Sequence, residues 1–229
     1  MSDRTVVWDH DDAGEQLGLR EQKKRRMRRL LSDTATELFV ERGFAAVQVA
    51  EIARVCGVSE KTVFNYFPSK EALLLDRGDA TEAGLRRALA DPTTPPAAAV
   101  ATMLDRELGR LTDWIAAQPD ERAAYDKTAR FGALIAETPS LRAHQREQQD
   151  ALVALAAESL AARYGFEAAD PEPRIAATAL VGLTDIQAVA LRRELAARTP
   201  VAHLRAAVAA DVTRAATVVA GLEASLRAR

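Results

Sequence analysis

The chain has a single cysteine, Cys56, so no intramolecular disulfide can form, and a reducing cytoplasm is the natural setting. Aromatic residues make up only 5% of it. No stretch alternates apolar and polar residues with β-branched enrichment for long, so strand signals are almost absent. No uninterrupted apolar run approaches the roughly 20 residues that span a bilayer. The opening MSDRTVVWDHDDAGEQ is acidic and lacks the basic and apolar segments of a signal peptide. The 3 histidines, His10, His144 and His203, lie far apart, and none has a Cys, His or carboxylate pair at metal-site spacing. Glycine-rich phosphate loops, a nucleophile elbow and a Cys–His pair are all missing. The expectation is a cytoplasmic all-α protein that is not an enzyme and uses no metal or cofactor.

What is there is apolar, helical and unevenly charged. Apolar residues form 48% of the 229, and alanine dominates them. The net charge of −2 by itself argues against a nucleic-acid binder. From Arg20 to Lys70, however, 11 Lys/Arg stand against 6 Asp/Glu, an excess of +5 that leaves −7 for the rest. One region therefore carries the electrostatic footprint expected of a polyanion-binding domain.

The densest pattern is Glu51 to Lys70, EIARVCGVSEKTVFNYFPSK. Ile52, Ala53, Val55 and Cys56 give a short helix an apolar face, and Gly57 supplies the left-handed conformation of a sharp turn. Ser59 fits as N-cap of a second helix, Glu60 to Tyr66, with Val63 and Phe67 inward and Glu60, Lys61, Thr62, Asn65 and Tyr66 outward. Pro68 ends that helix, and Ser69 opens another with Glu71 in its first turn. A short polar-faced helix held across a glycine turn is the geometry of a DNA-reading helix-turn-helix. Upstream, Met27, Leu31, Ala35, Leu38 and Phe39 stripe one long helix ending at Gly43. Lys23, Lys24, Arg25, Arg26, Arg28 and Arg29 crowd its first turns, where positive charge opposes the helix dipole. A local rule broken beside a helix-turn-helix points to phosphate contact, with a solvated charge run as the alternative.

The run Ile52-Ala53, Gly57-Val58-Ser59, Thr62, Phe64, Tyr66-Phe67, Ser69-Lys70-Glu71 resembles the DNA-binding domain of the tetracycline-repressor (TetR) family, from about Arg20 to Leu75. The resemblance implies that Thr62, Tyr66 and Lys70 sit on phosphates. Lys61 has the reach for guanine O6/N7, and Glu60 can accept from a cytosine amine or cap its helix. Phe64 and Asn65 face the groove wall or backbone, with a solvated surface role as the alternative for Asn65. Family members commonly carry Thr where this chain has Gln48, which still donates to phosphate but is a poorer N-cap. Ala50 replaces a polar residue of some relatives, so sequence reading rests on the second helix.

The chain divides into an acidic arm (1–19), expected to be disordered, a helix-turn-helix domain (20–68), a connector helix (69–90) and a ligand-binding and dimerisation domain (91–229). Trp8 stands out in the arm, since an exposed Trp usually has a partner; the plain alternative is a residue without a role. Asp91-Pro92-Thr93-Thr94-Pro95-Pro96 is the clearest break. Helix starts at Pro95/Pro96, after Pro119-Asp120, at Thr138-Pro139, at Asp170-Pro171 and at Thr199-Pro200 complete about nine helices. That count matches the TetR family, whose last two helices pair with those of a second subunit. Ile175, Leu180, Leu183, Ile186, Val189 and Leu191 surround one such helix, and Leu204, Val208, Val212, Val218, Val219 and Leu222 stripe the other. Ile186, Val189, Val208, Val212 and Val219 are therefore expected at a homodimer interface, with a wholly intramolecular core as the alternative. An effector site, which the resemblance also implies, needs an apolar cavity with a few polar groups. Trp114, Tyr125, Phe131, Thr178, Thr184, Asp185 and Gln187 are its candidates, with plain core as the alternative for Trp114 and Phe131. Asp185 is the sharpest, because a carboxylate interrupting an apolar helix needs a partner; an intersubunit or interhelix hydrogen bond is the alternative to a pocket.

The reading is a homodimeric repressor that binds a palindromic operator in double-stranded DNA and is released by a small apolar effector. A constitutive regulator or activator without ligand is the alternative within DNA binding. A helical enzyme or partner-binding module with an incidental basic helix is the alternative outside it.

Overall fold

The computed structural model describes residues 18–75, 78–167 and 169–227, with no side-chain description at 78 and 79. Most of the acidic arm, Trp8 included, lies outside the described residues. Among those described there are ten helices and no strand: α1 (Leu19–Arg42), α2 (Val49–Val55), α3 (Glu60–Tyr66), α4 (Lys70–Leu74), α5 (Gly78–Ala90), α6 (Pro96–Ala116), α7 (Glu121–Glu137), α8 (Pro139–Tyr164), α9 (Pro171–Ala196) and α10 (Val201–Arg227). The single connector helix expected over 69–90 is instead α4 and α5. Helix α4 closes at Leu75 with φ −104° and ψ 34°. The next helix opens on Gly78, a residue that disfavours helix interiors by about 1 kcal/mol relative to alanine.

The chain falls into two compact units, one of residues up to 78 with 122–145, the other of 79–121 with 146–229. In the first, the head, Leu31, Ala35 and Phe39 of α1 meet Ile52 and Ala53 of α2, Val63 of α3, Phe67, and Leu73 and Leu74 of α4 in one buried cluster. Phe131, Leu134 and Ile135 of α7 pack against this cluster, and Leu141 of α8 is inside it. Phe131 is thus a head-core residue rather than the effector-pocket residue expected. The apolar 131/134/135 spacing gives α7 one sticky face but not the identity of its neighbour.

In the second unit α10 packs on both α9 and α6, and α9 also meets α6. Leu104 on α6, Leu155 and Leu160 on α8, Leu180 and Leu183 on α9, and Val212 and Val219 on α10 belong to one core. Helix α6 begins with two prolines, which bring no N–H and no capping side chain. The carboxylate of Glu223 on α10 accepts from Ala97 N at 2.6 Å instead. Asp170 holds the N-cap position of α9 but makes no side-chain cap; its carboxylate accepts from Glu167 N at 3.1 Å. Among the described residues α9 is the helix long and apolar enough to cross a membrane, yet one of its faces is built into this core.

Candidate nucleic-acid interface

The turn between α2 and α3 is set locally. Val58 N donates to Ala53 O at 2.9 Å and Gly57 N to Arg54 O at 3.2 Å, the paired bonds of a glycine-terminated helix end. Gly57 takes φ +68° to allow them. One residue on, Ser59 Oγ accepts from Thr62 N at 3.1 Å and lies 2.9 Å from Thr62 Oγ1. The cap satisfies an orphan donor of a helix only seven residues long, where one bond matters most. Val63 and Phe67 are fully buried beneath α3. Opposite them Ser59, Glu60, Lys61, Phe64 and Asn65 are exposed, and Thr62 and Tyr66 are half-buried.

Around this face the cations divide into two kinds. Lys23, Lys24, Arg25 and Arg26 are exposed on the first turns of α1, Arg25 lying 3.8 Å from Glu21. Arg28, one turn further, turns inward. Its guanidinium donates to Tyr66 O at 2.9 Å and lies 4.7 Å from the Phe67 ring centre, so α1 is tied to the C-terminal end of α3. This bridge was not foreseen; Arg28 lies one helical turn before Ser32, whose Oγ donates to Leu73 O at 3.0 Å, so both polar side chains reach the inner side of α1. Lys70 also turns inward. Its Nζ donates to Phe44 O and sits over the Phe44 and Phe39 rings, at 4.4 and 5.5 Å. Burial there lowers its pKa from the ordinary lysine value. The residue expected on phosphate is here a bond that closes the head. Gln48 is exposed at the N-cap of α2 and makes no side-chain cap. Val55, expected inward, is 54% exposed at the other end of α2.

The remaining expected site residues do not converge. Tyr125 is buried in the head unit with α7. In the second unit Trp114 is half-buried, and its indole N–H is buried without a hydrogen-bond partner, as is the Tyr164 hydroxyl. Thr184 Oγ1 donates to Val181 O at 2.8 Å within its own helix, and Thr178 likewise to Arg174 O. Gln187 Nε2 donates to Leu104 O at 2.8 Å, linking α9 to α6. Asp185, expected in an interior pocket, is exposed. Its helix is apolar on more than one side, but only one side is taken up by this chain's own core. Of the expected dimer residues, Ile186 and Val189 are exposed. Val208, Val212 and Val219 are buried within this chain's own core, whereas Ile175, Val218 and Leu222 are exposed.

Comparison with known proteins gives similarities to regulators. Residues 31–76 match the family of bacterial regulatory proteins described as the tetR family, and residues 114–199 match the MftR C-terminal domain. The chain is 47% identical over 47 residues to the uncharacterised HTH-type transcriptional regulator YuxN of Bacillus subtilis (strain 168), covering 20% of this chain and 16% of YuxN. It is 29% identical over 157 residues to the HTH-type transcriptional regulator TcmR of Streptomyces glaucescens, covering 67% of each. A crystal structure of a TetR-family regulator from Streptomyces coelicolor A3 aligns with a TM-score of 0.44 at 23% identity, covering 86% of this chain and 99% of that one.

Proposed function

We propose a DNA-binding transcriptional regulator, from the premise that this chain belongs to the tetracycline-repressor (TetR) family of bacterial regulatory proteins. The observation that carries the proposal is the capped, seven-residue α3, which presents Lys61, Phe64 and Asn65 outward beside the exposed cations of α1. A helix of this kind enters a major groove. Lys61 reads a guanine edge, while Thr62, Tyr66 and the α1 cations hold phosphates.

The finer reading is a cytoplasmic homodimer that represses from a palindrome and responds to an effector. The exposed Ile175, Ile186 and Val189 on α9 and Val218 and Leu222 on α10 support pairing, because five large apolar side chains on adjoining helices cost free energy in water. The buried, unpartnered Trp114 N–H and Tyr164 O–H support an interior polar contact for an effector in the second unit. Two heads reading half-sites must match a separation of about 34 Å or a multiple of it, so a small change in head separation on effector binding lowers affinity.

The test is binding of the purified chain to DNA flanking its own gene, with salt titration. Saturable binding to one palindrome, weakening steeply with salt, supports the regulator. Equal weak binding to every fragment rejects sequence-specific recognition.

A further inference from the structure

The outward side of α9 carries two opposite charges that no other described residue meets. Asp185 is exposed and Arg192 half-buried, and neither makes a hydrogen bond or ion pair among the described residues. The charges next to Arg192 are already paired. Arg193 donates to Glu194 Oε1 at 2.6 Å and to Asp211 Oδ2 at 2.7 Å, and Arg214 of α10 donates to Asp211 as well. Asp185 and Arg192 stand seven positions apart, about 20° short of two full turns and about 10 Å along the helix axis. Both therefore lie on one side of α9, with Val189 between them and Ile186 beside Asp185. Val189 is 47% exposed and Ile186 39%. A Cβ added at Gly182, one turn before Asp185, would meet nothing within 4 Å, so the backbone is open to close approach there.

An apolar strip holding one unmatched charge of each sign is completed by a second copy of itself. A two-fold axis makes residue i of one copy meet residue j of the other, and j meet i. With the axis perpendicular to α9 and beside Val189, the two α9 helices run antiparallel, and Asp185 comes level with the partner's Arg192. The same axis brings Arg192 level with the partner's Asp185. An axis parallel to α9 would instead set like charge against like at both positions. A foreign helix with an apolar face but other charges would leave a carboxylate and a guanidinium desolvated and unmatched.

We propose that Asp185 and Arg192 form two reciprocal salt bridges across a two-fold axis at Val189, which fix the antiparallel register of α9 on its copy and make this surface select its own chain as partner. The proposal rests on the homodimer reading and adds which charges choose the partner. Each residue occurs in both copies, so one charge reversal acts twice and turns two attractive pairs into two repulsive ones. An exposed ion pair is worth a few-fold in affinity, and a like-charge pair costs a similar factor. Four such factors weaken self-association by about fiftyfold for a single reversal.

The experiment uses full-length chains: wild type, Asp185→Arg, Arg192→Asp, the double reversal Asp185→Arg/Arg192→Asp, and Ile186→Asp as a control for association itself. Sedimentation over a concentration series measures self-association. The two single reversals, one of them carrying a mass tag, are also mixed and their dimers counted by native mass spectrometry. Each single reversal is expected to self-associate about fiftyfold more weakly than wild type, and the double reversal within about threefold of it. The mixture is expected to be more than about nine-tenths heterodimer, because each single reversal offers the charges that the other lacks. Single reversals that pair with themselves as well as wild type does, with only about half heterodimer on mixing, overturn the proposal. If Ile186→Asp is monomeric in that case, the homodimer reading stands on the apolar face alone. A double reversal as weak as the single ones also overturns the proposal, since the two charges then do not act on each other. Wild type that is monomeric at every concentration overturns the homodimer reading and the proposal with it.

Discussion

Glu223 gives a prediction whose sign differs from that of an ordinary helix cap. Its side chain is buried, 3% exposed, and its carboxylate accepts from Ala97 N at 2.6 Å. Pro96 brings no N–H, so Ala97 carries the first donor of α6, and the acceptor comes from a residue 126 positions away. Burial pushes the carboxyl above its ordinary value of 4.5, against the lowering effect of the Ala97 N–H and of Arg227 and Arg163. A carboxyl whose pKa rises on folding binds its proton more tightly in the folded state. Its contribution to stability is complete below about pH 4.5 and is lost as pH rises through the folded value. The charge is therefore a cost, and the hydrogen bond is what stabilises. Glu223→Gln keeps an acceptor oxygen and removes the charge, whereas Glu223→Ala removes both and leaves the Ala97 N–H buried and unpaired. An orphaned buried donor costs about 1–3 kcal/mol. At pH 7.5 the alanine variant is expected to lose about 2 kcal/mol, or roughly 4–8 °C in Tm for a chain of this size. The glutamine variant is expected within about 0.5 kcal/mol of wild type, with a flatter dependence on pH above about 4.5. Urea titrations followed by far-UV circular dichroism across that range measure both. Equal losses for Gln and Ala at neutral pH would refute the reasoning, because the charge would then be what holds α6.

Replacing Ser59 by Ala removes the acceptor for Thr62 N and is expected to cost about 1 kcal/mol, with Gly at that position costing only a few tenths; thermal melts of the two variants check the order. Lys24→Ala is expected to weaken binding to every duplex alike and to lower the salt slope by about 1, whereas Lys61→Ala also relaxes the preference among sequences. Parallel titrations on matched and mismatched duplexes separate the two. Ile186→Asp puts a charge on the exposed face of α9 and is expected to shift the chain toward monomer in sedimentation without unfolding it. Val208→Ala lies inside the subunit and is expected to cost about 2 kcal/mol of folding stability and leave the assembly state unchanged.

The helix-turn-helix was legible in the sequence because its determinants are neighbours in the chain. Gly57 ends one helix, Ser59 starts the next, and Val63 and Phe67 lie four apart; each is decided within about one turn of helix. Likewise Pro96, Pro139, Pro171 and Pro200 mark helix starts wherever they fall. Other features depend on distant partners and could not be read this way. Lys70 looks like a surface cation until Phe44 O, 26 residues away, accepts from it. Asp185 interrupts an apolar helix, but the side that carries it faces outward, because Leu180 and Leu183 fill the core. On α10, Val212 and Val219 go inside while Val218 and Leu222 stay outside. A helix apolar over most of its circumference has no preferred inward side by itself. That side is chosen by the shapes of α6 and α9, which only the folded chain brings against it. Helix identity, the local turn at Gly57 and Ser59 and the charge distribution were thus determined by the sequence alone, whereas the cap of α6 and the choice of buried sides were decided by tertiary packing.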